Sequence, residues 1–443
     1  MSTWFRKDLT CIGAVLFRGP MAPRPDELDG LSKAGLQVKR GEPGSDYEWQ
    51  LEVRHPDWGS ADIFCPRGMP LPPSELIEWD PRLSRQEKEE VAVYGSAVFV
   101  RAEPQQHDVL RDRKILLRFL RAVVGSHGLF AMDHVAQSCW SRSALDEELG
   151  HDAPLDIASV FTIHMVGNSP KGVHWLHSHG LQDLGFCEFD LIEPHPSGYQ
   201  DGYDSLRALA FAIVEGKLAP DGGAFDLVQP GGTVQLVSAR RFLEQARPGD
   251  WPRWRAEVDD QHLDGHAVVC DPARRSWFGL GGKALSPANL YTQPFPDGGI
   301  IQFSSDASLL MADRARQTYA VFRALLEELA AYSLPALVKL GYVVDDAGEG
   351  RGGDFAFDHE HLWFEVHACR EREIDATLIN QPFRIARLRP GDRAAHSVDL
   401  LSDWQILTPY GSITPRFGRA LRDARDHPDE LRRLLAEARA QGG

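Results

Sequence analysis

Alternation of apolar and polar residues near the C-terminus constrains the fold more than any other feature of this chain. In His361–His367 every second residue, beginning with Leu362, is apolar. A period of two indicates a strand with one buried face, and Pro390–Asp392 has the composition of a turn. We therefore expect a small curled antiparallel sheet or barrel over residues 361–407, with a leading helix at Ala312–Tyr332.

The rest of the chain alternates between helical and extended patterns, which predicts an α+β protein. A chain of 443 residues exceeds the size of one compact core, so several domains are expected. We predict a mixed sheet and helix region at residues 1–155 and a central α+β region at 156–311. The β-rich domain then occupies 312–425, and a helical tail occupies 426–443.

A short internal sequence similarity links the first two regions. Gly128–Asp133 precedes Trp140, and Gly265–Asp271 precedes Trp277. Each segment has the pattern of an apolar strand, a turn that contains Asp, and a returning strand that carries the tryptophan. One hypothesis is that the two regions are related α+β halves. Because the match is short and its spacings differ by one residue, unrelated regions remain the alternative.

The net charge of −16 disfavours general attraction to nucleic acid or to an anionic membrane, and it would steer a basic partner toward the protein. A predicted amphipathic helix at 108–124 is locally basic. We interpret its basic side as a solvated face balanced by neighbouring acids, with phosphate or nucleic-acid contact as the alternative. We expect no nucleic-acid partner. The basic residues are Arg111, Arg113, Lys114, Arg118 and Arg121.

Composition also indicates a cytoplasmic protein. The six cysteines are far apart and form no C-x-x-C pair, which is typical of free thiols in a reducing compartment. The apolar run at Leu9–Phe17 contains Gly13, ends at Arg18 and lacks a small-x-small cleavage site, so it predicts a first strand and not a signal peptide. No apolar run approaches the ~18 residues of a membrane span.

The C-terminal block resembles the YegJ-like domain, which is family 2314 of the domains of unknown function. That family has an E-H-x-W-V-E-V strand, an N-x-P turn, an L-K-x-G-D turn and an S-D-W tripeptide. The matching residues are Glu360, His361, Trp363, Glu365, Val366, Asn380, Pro382, Leu388, Gly391, Asp392, Ser402, Asp403 and Trp404. The resemblance covers about residues 312–410, with Asp346–Asp358 as an additional loop. It implies a bacterial protein and a β-rich fold.

A second resemblance lies in the central region. Val173–Leu181, with Gly185 and Glu188–Leu191, is similar to the H-T-H-G-L…G…E-L-E-I segment of family 4026 of the domains of unknown function. That family is often joined to a YegJ-like C-terminus. Ser178 stands where the family usually has threonine. Neither resemblance implies an activity.

The central segment concentrates histidines. His174, His177 and His179 lie within six residues, and His164 lies on the preceding predicted strand. A second H-x-H pair, His359–His361, begins the C-terminal sheet. Imidazoles one residue apart on a strand share a face, so either pair has the spacing to occupy two positions of a zinc ion.

Three interpretations of the central segment remain open: a structural junction, a ligand- or partner-binding site, and a metal or catalytic site. In the structural one, Ser178 caps a one-turn helix at His179–Leu184, Gly185 ends that helix, and the histidines bond to the backbone. The following strand then exposes Glu188 and Asp190. In the metal interpretation, one of these two carboxylates joins the histidines as a ligand.

Other motifs do not support an activity. Gly348–Gly353 formally matches G-x-G-x-x-G, but it lies between two predicted strands and opens no helix that could receive a pyrophosphate. The chain contains no P-loop, no G-x-S-x-G elbow and no H-E-x-x-H motif. The sequence thus offers no complete catalytic motif.

The leading hypothesis is a soluble, non-enzymatic binding protein without a cofactor, associated with immunity or stress, that docks a partner protein. This hypothesis is favoured by the acidity of the chain and by turns with tryptophan and histidine that are expected to be exposed. A basic partner fits the negative charge. The candidate binding residues are Trp175, His177, His179, Trp363, Asn380, Asp403 and Trp404. For Asp403 and Trp404 the favoured interpretation is a turn aspartate beside a core tryptophan, with an exposed recognition pair as the alternative. The alternative is a metal-dependent enzyme with zinc on His174, His177 and His179.

Overall fold

The protein is described from a computed structural model. The structure describes residues 11–42, 44–68, 70–78, 80–90, 93–103, 108–133, 136–167, 172–194, 199–215, 224–227, 232–245, 250–271, 285–288, 305–345 and 359–441. Trp277 and the glycine-containing loop at 346–358 lie outside these residues. None of the helices within them is both long and apolar enough to cross a lipid bilayer.

The N-terminal region is a seven-stranded antiparallel sheet. Its strands are β1 Cys11–Arg18, β2 Gln37–Arg40, β3 Tyr47–His55, β4 Gly59–Pro66, β5 Tyr94–Ala102, β6 Gly128–Asp133 and β7 Ser138–Ser141. Its helices are α1 Asp29–Lys33, α2 Ser74–Glu78, α3 Arg85–Glu89, α4 Val109–Val124 and α5 Arg142–Leu149. The strand order is β2-β3-β4-β5-β1-β6-β7. The first strand expected at the N-terminus and the amphipathic helix at 108–124 are both confirmed, and Asp108 caps the helix.

The basic side of α4 differs from the predicted solvated face. Arg113 and Lys114 are buried. Arg113 Nη2 lies 3.2 Å from Asp183 Oδ2 and 3.5 Å from Asp133 Oδ2, while Lys114 Nζ donates to the carbonyl of His151 at 2.7 Å. The prediction was wrong for these two residues because the chain that follows α4 covers this side of the helix and supplies acceptors. Through Asp183, Arg113 therefore joins the N-terminal region to the central one, whereas Lys114 bonds within the N-terminal region.

The central region is a six-stranded sheet. Its strands are β8 Thr162–Val166, β9 Trp175–His179, β10 Glu188–Ile192, β11 Ala224–Leu227, β12 Gly232–Ser238 and β13 His266–Cys270. Its helices are α6 Tyr199–Val214, α7 Ala239–Gln245, α8 Pro252–Glu257 and α9 Asp260–Gly265. The order is β11-β12-β13-β10-β9-β8, and β10 and β13 are parallel. Among the described residues the N-terminal sheet has only antiparallel strand pairs, unlike the central sheet. The hypothesis that the two regions are related halves stays a prediction.

Both faces of the central sheet are covered. Leu176 and Phe189 belong to the large core that also contains Leu206 of α6. On the opposite face, Phe242 of α7 and Trp254 of α8 pack in a separate apolar cluster. Because β10 lies between β9 and β13 in this covered sheet, even its polar side chains are removed from water.

The C-terminal region confirms the predicted alternating strands. Its helices are α10 Ser305–Gln317, α11 Tyr319–Glu328, α12 Arg419–Asp426 and α13 Pro428–Gln441. Its strands are β14 Ala336–Val343, β15 His359–Cys369, β16 Glu373–Leu378, β17 Arg393–Ser397, β18 Leu401–Thr408 and β19 Gly411–Ile413. Leu362 and Phe364 are each 1% exposed on the buried face of β15. The order β17-β16-β15-β14-β18-β19 leaves β17 and β19 at opposite edges, so the barrel alternative is wrong.

The leading helix is interrupted, although the pattern predicted one helix over Ala312–Tyr332. It begins at Ser305, and α10 gives way to α11 at Thr318. The Thr318 hydroxyl donates to the Arg314 carbonyl at 2.8 Å and accepts the indole N–H of Trp404 at 3.0 Å. A hydroxyl that bonds to the preceding turn while it receives a core indole ties the interruption to the β-rich sheet. The proposed domain boundary at 311/312 falls inside α10.

Buried ion pairs join the C-terminal region to the N-terminal one. Arg314 of α10 forms a two-pronged pair with Glu148 of α5, with nitrogen–oxygen distances of 3.1 and 2.5 Å. Arg422 of α12 donates to Glu147 at 2.8 Å. Bidentate guanidinium–carboxylate pairs fix both position and orientation. These contacts therefore set how the β-rich sheet sits on α5.

Candidate metal centre

One face of the central sheet collects polar side chains from four neighbouring strands. In the cross-strand register, His177 of β9 lies between His164 of β8 and Asp190 of β10. His179 shares this face because residues two apart on a strand point the same way. His266 begins β13 on the far side of β10. We call this set, together with His262 of α9, the histidine face. Its members are His164, His177, His179, Asp190, His262 and His266.

Three of these histidines converge. One ring nitrogen each from His164, His177 and His179 lie within 4.8 Å of one another. The ring centroids of His164 and His177 are 4.6 and 4.7 Å from that of His179, and 5.5 Å from each other. Rings bound to one tetrahedral zinc at Zn–N ≈ 2.0–2.1 Å would have centroids about 5 Å apart. The spacing of this trio therefore fits a single ion.

The trio is held in the form that binds metals. Burial, and after it the neighbouring imidazoles, lower the pKa of His177 far below its ordinary value and that of His179 to about 2. Burial, and then His262, also lowers the pKa of His164. His177 Nδ1 is buried and has no hydrogen-bond partner among the described residues. Neutral imidazoles with free lone pairs are the metal-binding state, and an unpaired buried nitrogen is costly without a partner.

The other two histidines are each fixed by a carboxylate. His262 Nδ1 lies 2.5 Å from Asp259 Oδ1, and His266 Nδ1 lies 2.8 Å from Asp190 Oδ1. Burial by itself would lower the pKa of His266, but the Asp190 carboxylate outweighs it and the pKa is raised. In both rings it is Nδ1 that bonds to the carboxylate, so Nε2 is the ring nitrogen that this bond does not use.

The carboxylates of β10 are buried, whereas the alternating pattern predicted exposed ones. Glu188 and Asp190 are 1% and 0% exposed. Glu188 accepts the Ser178 hydroxyl at 2.7 Å and the N–H groups of Gly180 and Gln182 at 2.8 and 3.0 Å. The prediction was wrong because β10 is a central strand covered on both faces. Glu188 is engaged by these three donors, which opposes a role as a metal ligand.

The structural interpretation of the segment is only partly confirmed. A 3-10 helix at Leu181–Leu184 ends at Gly185, whose φ of 86° is left-handed as expected. Ser178 does not cap it. Its hydroxyl donates to Glu188 and accepts the N–H of Phe189 at 2.8 Å, because Ser178 is still part of β9 and faces β10.

His174 lies outside the converging trio, and His164 takes the third place. His174 Nε2 is 3.0 Å from Glu257 Oε1 of α8. His174 precedes β9 and its ring bonds to α8, whereas His164 pairs directly with His177 across the strands. The signal that identifies His164 is thus the register of the β8–β9 hairpin and not proximity in sequence.

Two tryptophans among the candidate binding residues, Trp175 and Trp404, are buried. Trp175 is 2% exposed and its indole N–H donates to Asp190 at 3.1 Å. Trp404 is 0% exposed, and Phe322 packs against it with ring centroids 4.9 Å apart. Trp404 lies within β18 on the core side, which confirms the favoured interpretation of it as a core tryptophan. Neither indole is accessible to a partner.

The remaining candidates lie in the β-rich sheet. Trp363 is half-buried, and Asn380 accepts its backbone N–H at 2.8 Å. Asp403 is also on β18, and burial raises its pKa. Because it accepts the N–H of Trp363, the Asn380 side chain joins the loop after β16 to β15.

Comparison with protein families identifies a match in the C-terminal region. Residues 307–417 are similar to a family described as an uncharacterized protein conserved in bacteria (DUF2314). This region agrees with the resemblance of the C-terminal block and covers about a quarter of the chain. No curated protein and no solved structure matches the chain significantly.

Proposed function

We propose that the protein is a metal-dependent enzyme whose central region binds a transition cation, with zinc as the natural candidate, through His164, His177 and His179. The observation that carries this proposal is geometric: one ring nitrogen each from three histidines on two adjacent strands lie within 4.8 Å of one another. Imidazole nitrogen is a preferred zinc ligand, and three histidines are a known ligand set of catalytic zinc.

The site has the character of an open centre. Three protein ligands leave a fourth position for water, whereas structural zinc sites usually have four protein ligands. His164 and His179 are only half-buried, so solvent and a small substrate have access from that side. An ion held by these three residues would lower the pKa of a bound water and so would supply a nucleophile for carbonyl or phosphoryl groups near neutral pH. Hydrolysis is therefore the reaction class that we assign to this face.

The test is metal analysis of the full-length protein purified without a histidine tag. After dialysis against zinc chloride and removal of free ion, elemental analysis should find bound zinc, and His164→Ala or His179→Ala should remove the ion held by the trio. His174→Gln is the matched control, since it changes a buried histidine of the same segment that bonds to Glu257. A wild-type protein that retains no zinc would refute the proposal.

Docking of a basic partner protein is the second candidate, and immunity or stress association and a cytoplasmic location belong to it as predictions. It is favoured by the net charge of −16 and by Phe383 and Ile379, which are 73% and 46% exposed and flank Asn380. A purified partner found by affinity capture should bind wild-type protein and bind Phe383→Ser at least tenfold more weakly, about 1.4 kcal/mol. Equal affinities would exclude this surface.

A further inference from the structure

We propose that the histidine face holds a second divalent transition cation, bound by the Nε2 atoms of His262 and His266. This inference rests on the proposed trio site and adds a neighbouring position to it. The ring centroids of His262 and His266 are 4.9 Å apart, which matches the spacing of about 5 Å expected for two imidazoles on one ion.

Both rings carry the support that metal-binding histidines usually have. A ligating imidazole typically donates its other N–H to a carboxylate, which fixes the tautomer and makes the ligand nitrogen more basic. His262 has this bond with Asp259, and His266 has it with Asp190. The indole of Trp175 also donates to Asp190, which fixes the orientation of that carboxylate.

The geometry separates this position from the trio. The centroid of His266 is 6.3 Å from those of both His177 and His179. That distance exceeds the spacing of about 5 Å for two rings on one tetrahedral zinc. The centroid of His262, at 5.4 Å from His177, lies between the two positions. Two-metal sites hold their ions ~3.5–4 Å apart, and this face is compact enough for such a pair.

Charge supports a second cation. Asp190 is 0% exposed, and its Oδ2 has no hydrogen-bond partner among the described residues. A buried carboxylate with an unpaired oxygen is costly unless positive charge lies nearby. A cation on His266 Nε2 would compensate this carboxylate through the imidazole that joins them. A pair of ions would also polarise both the attacked and the leaving oxygen of an ester or phosphoester.

The experiment counts zinc ions per chain by equilibrium dialysis of the tag-free protein. We expect two ions for the wild type and one for the double variant His262→Asn with His266→Asn. Asparagine places an amide near the position of Nδ1, so the bonds to Asp259 and Asp190 are kept while the Nε2 ligand is removed. His174→Gln should still bind two. A thermal unfolding curve of each metal-free variant shows that it is folded.

The outcomes distinguish this inference from the trio site. Two ions that fall to one in the double variant support it, as does metal–metal scattering at about 3.5–4 Å in X-ray absorption of the loaded protein. One ion in both wild type and double variant overturns the second position and leaves the trio intact. One ion that the double variant loses also overturns it, because His262 and His266 would then serve a single ion. No bound ion refutes both proposals.

Discussion

The chain contains two H-x-H pairs on strands, and the structure uses them differently. His177 and His179 lie on β9, where His164 on the neighbouring strand brings a third ring beside them. His359 and His361 lie at the start of β15. Among the described residues, only the first pair belongs to a group of ligand atoms within metal-binding reach.

The second pair serves packing. The ring of His361 lies over Gly341 of β14. It is so close that a β-carbon on residue 341 would come within 3.0 Å of the ring. Its Nδ1 is 2.8 Å from the Ser402 hydroxyl, and burial lowers its pKa to about 4. The same sequence spacing thus gives a candidate ligand set on one strand and a packed ring on another. The residues on the neighbouring strands decide between the two.

The largest expected effect tests whether the β-rich motif is structural. Trp404→Ala should lower the free energy of unfolding by about 3–5 kcal/mol, because it empties a site in the core and removes the bond to Thr318. Denaturant unfolding followed by circular dichroism measures this. Trp404→Phe is the control and should cost less. A Trp404→Ala variant as stable as wild type would mean that this indole is free for recognition.

Metal affinity distinguishes the two H-x-H pairs directly. His177→Ala should weaken zinc binding at the trio by more than the 10–100-fold typical of losing an outer partner, since it removes a ligand. His361→Ala should leave zinc affinity unchanged, because its ring bonds to Ser402. Competition with a chromogenic chelator measures both. Equal losses of zinc affinity in the two variants would contradict this difference between the two H-x-H pairs.

Stability should depend on pH through His177. An unfolded histidine takes up a proton near pH 6.5, whereas burial keeps the folded pKa of His177 far lower. Its stabilising contribution is therefore complete above pH 6.5 and is lost as the pH falls, by up to about 1.4 kcal/mol per pH unit. Unfolding of metal-free protein between about pH 7 and 5 should show a shallower slope for His177→Asn. Parallel curves would contradict this.

The smallest effect concerns Asn380. Asn380→Ala removes the acceptor for the N–H of Trp363 and should cost about 0.5–1.5 kcal/mol in unfolding free energy. Asn380→Asp keeps an oxygen acceptor and should recover most of that stability. If both variants match wild type in stability but lose a bound partner, the side chain serves recognition and not the sheet.

Local patterns predicted the elements of the fold better than the site. The alternation in His361–His367 gave β15, and the periodicity of 108–124 gave α4, because both reflect burial along one element. The site depends on which strands become neighbours. His164 lies about a hundred residues from His262 and His266 in the sequence. No local pattern shows that β8, β9, β10 and β13 share one face. The burial of Asp190 was likewise hidden, since a polar residue in a fully covered strand has the sequence signature of an exposed one.

The arginine contacts of the C-terminal helices have a consequence for producing the C-terminal region by itself. Arg314 and Arg422 anchor the β-rich sheet to Glu148 and Glu147. The family match ends at residue 417, before Arg422, and a cut that removes the N-terminal region would strip both guanidinium groups of their counter-charges. We therefore expect the segment that matches the family to depend on the N-terminal region for its stability in this chain. Truncation libraries should retain α5 with it if they are to yield soluble protein.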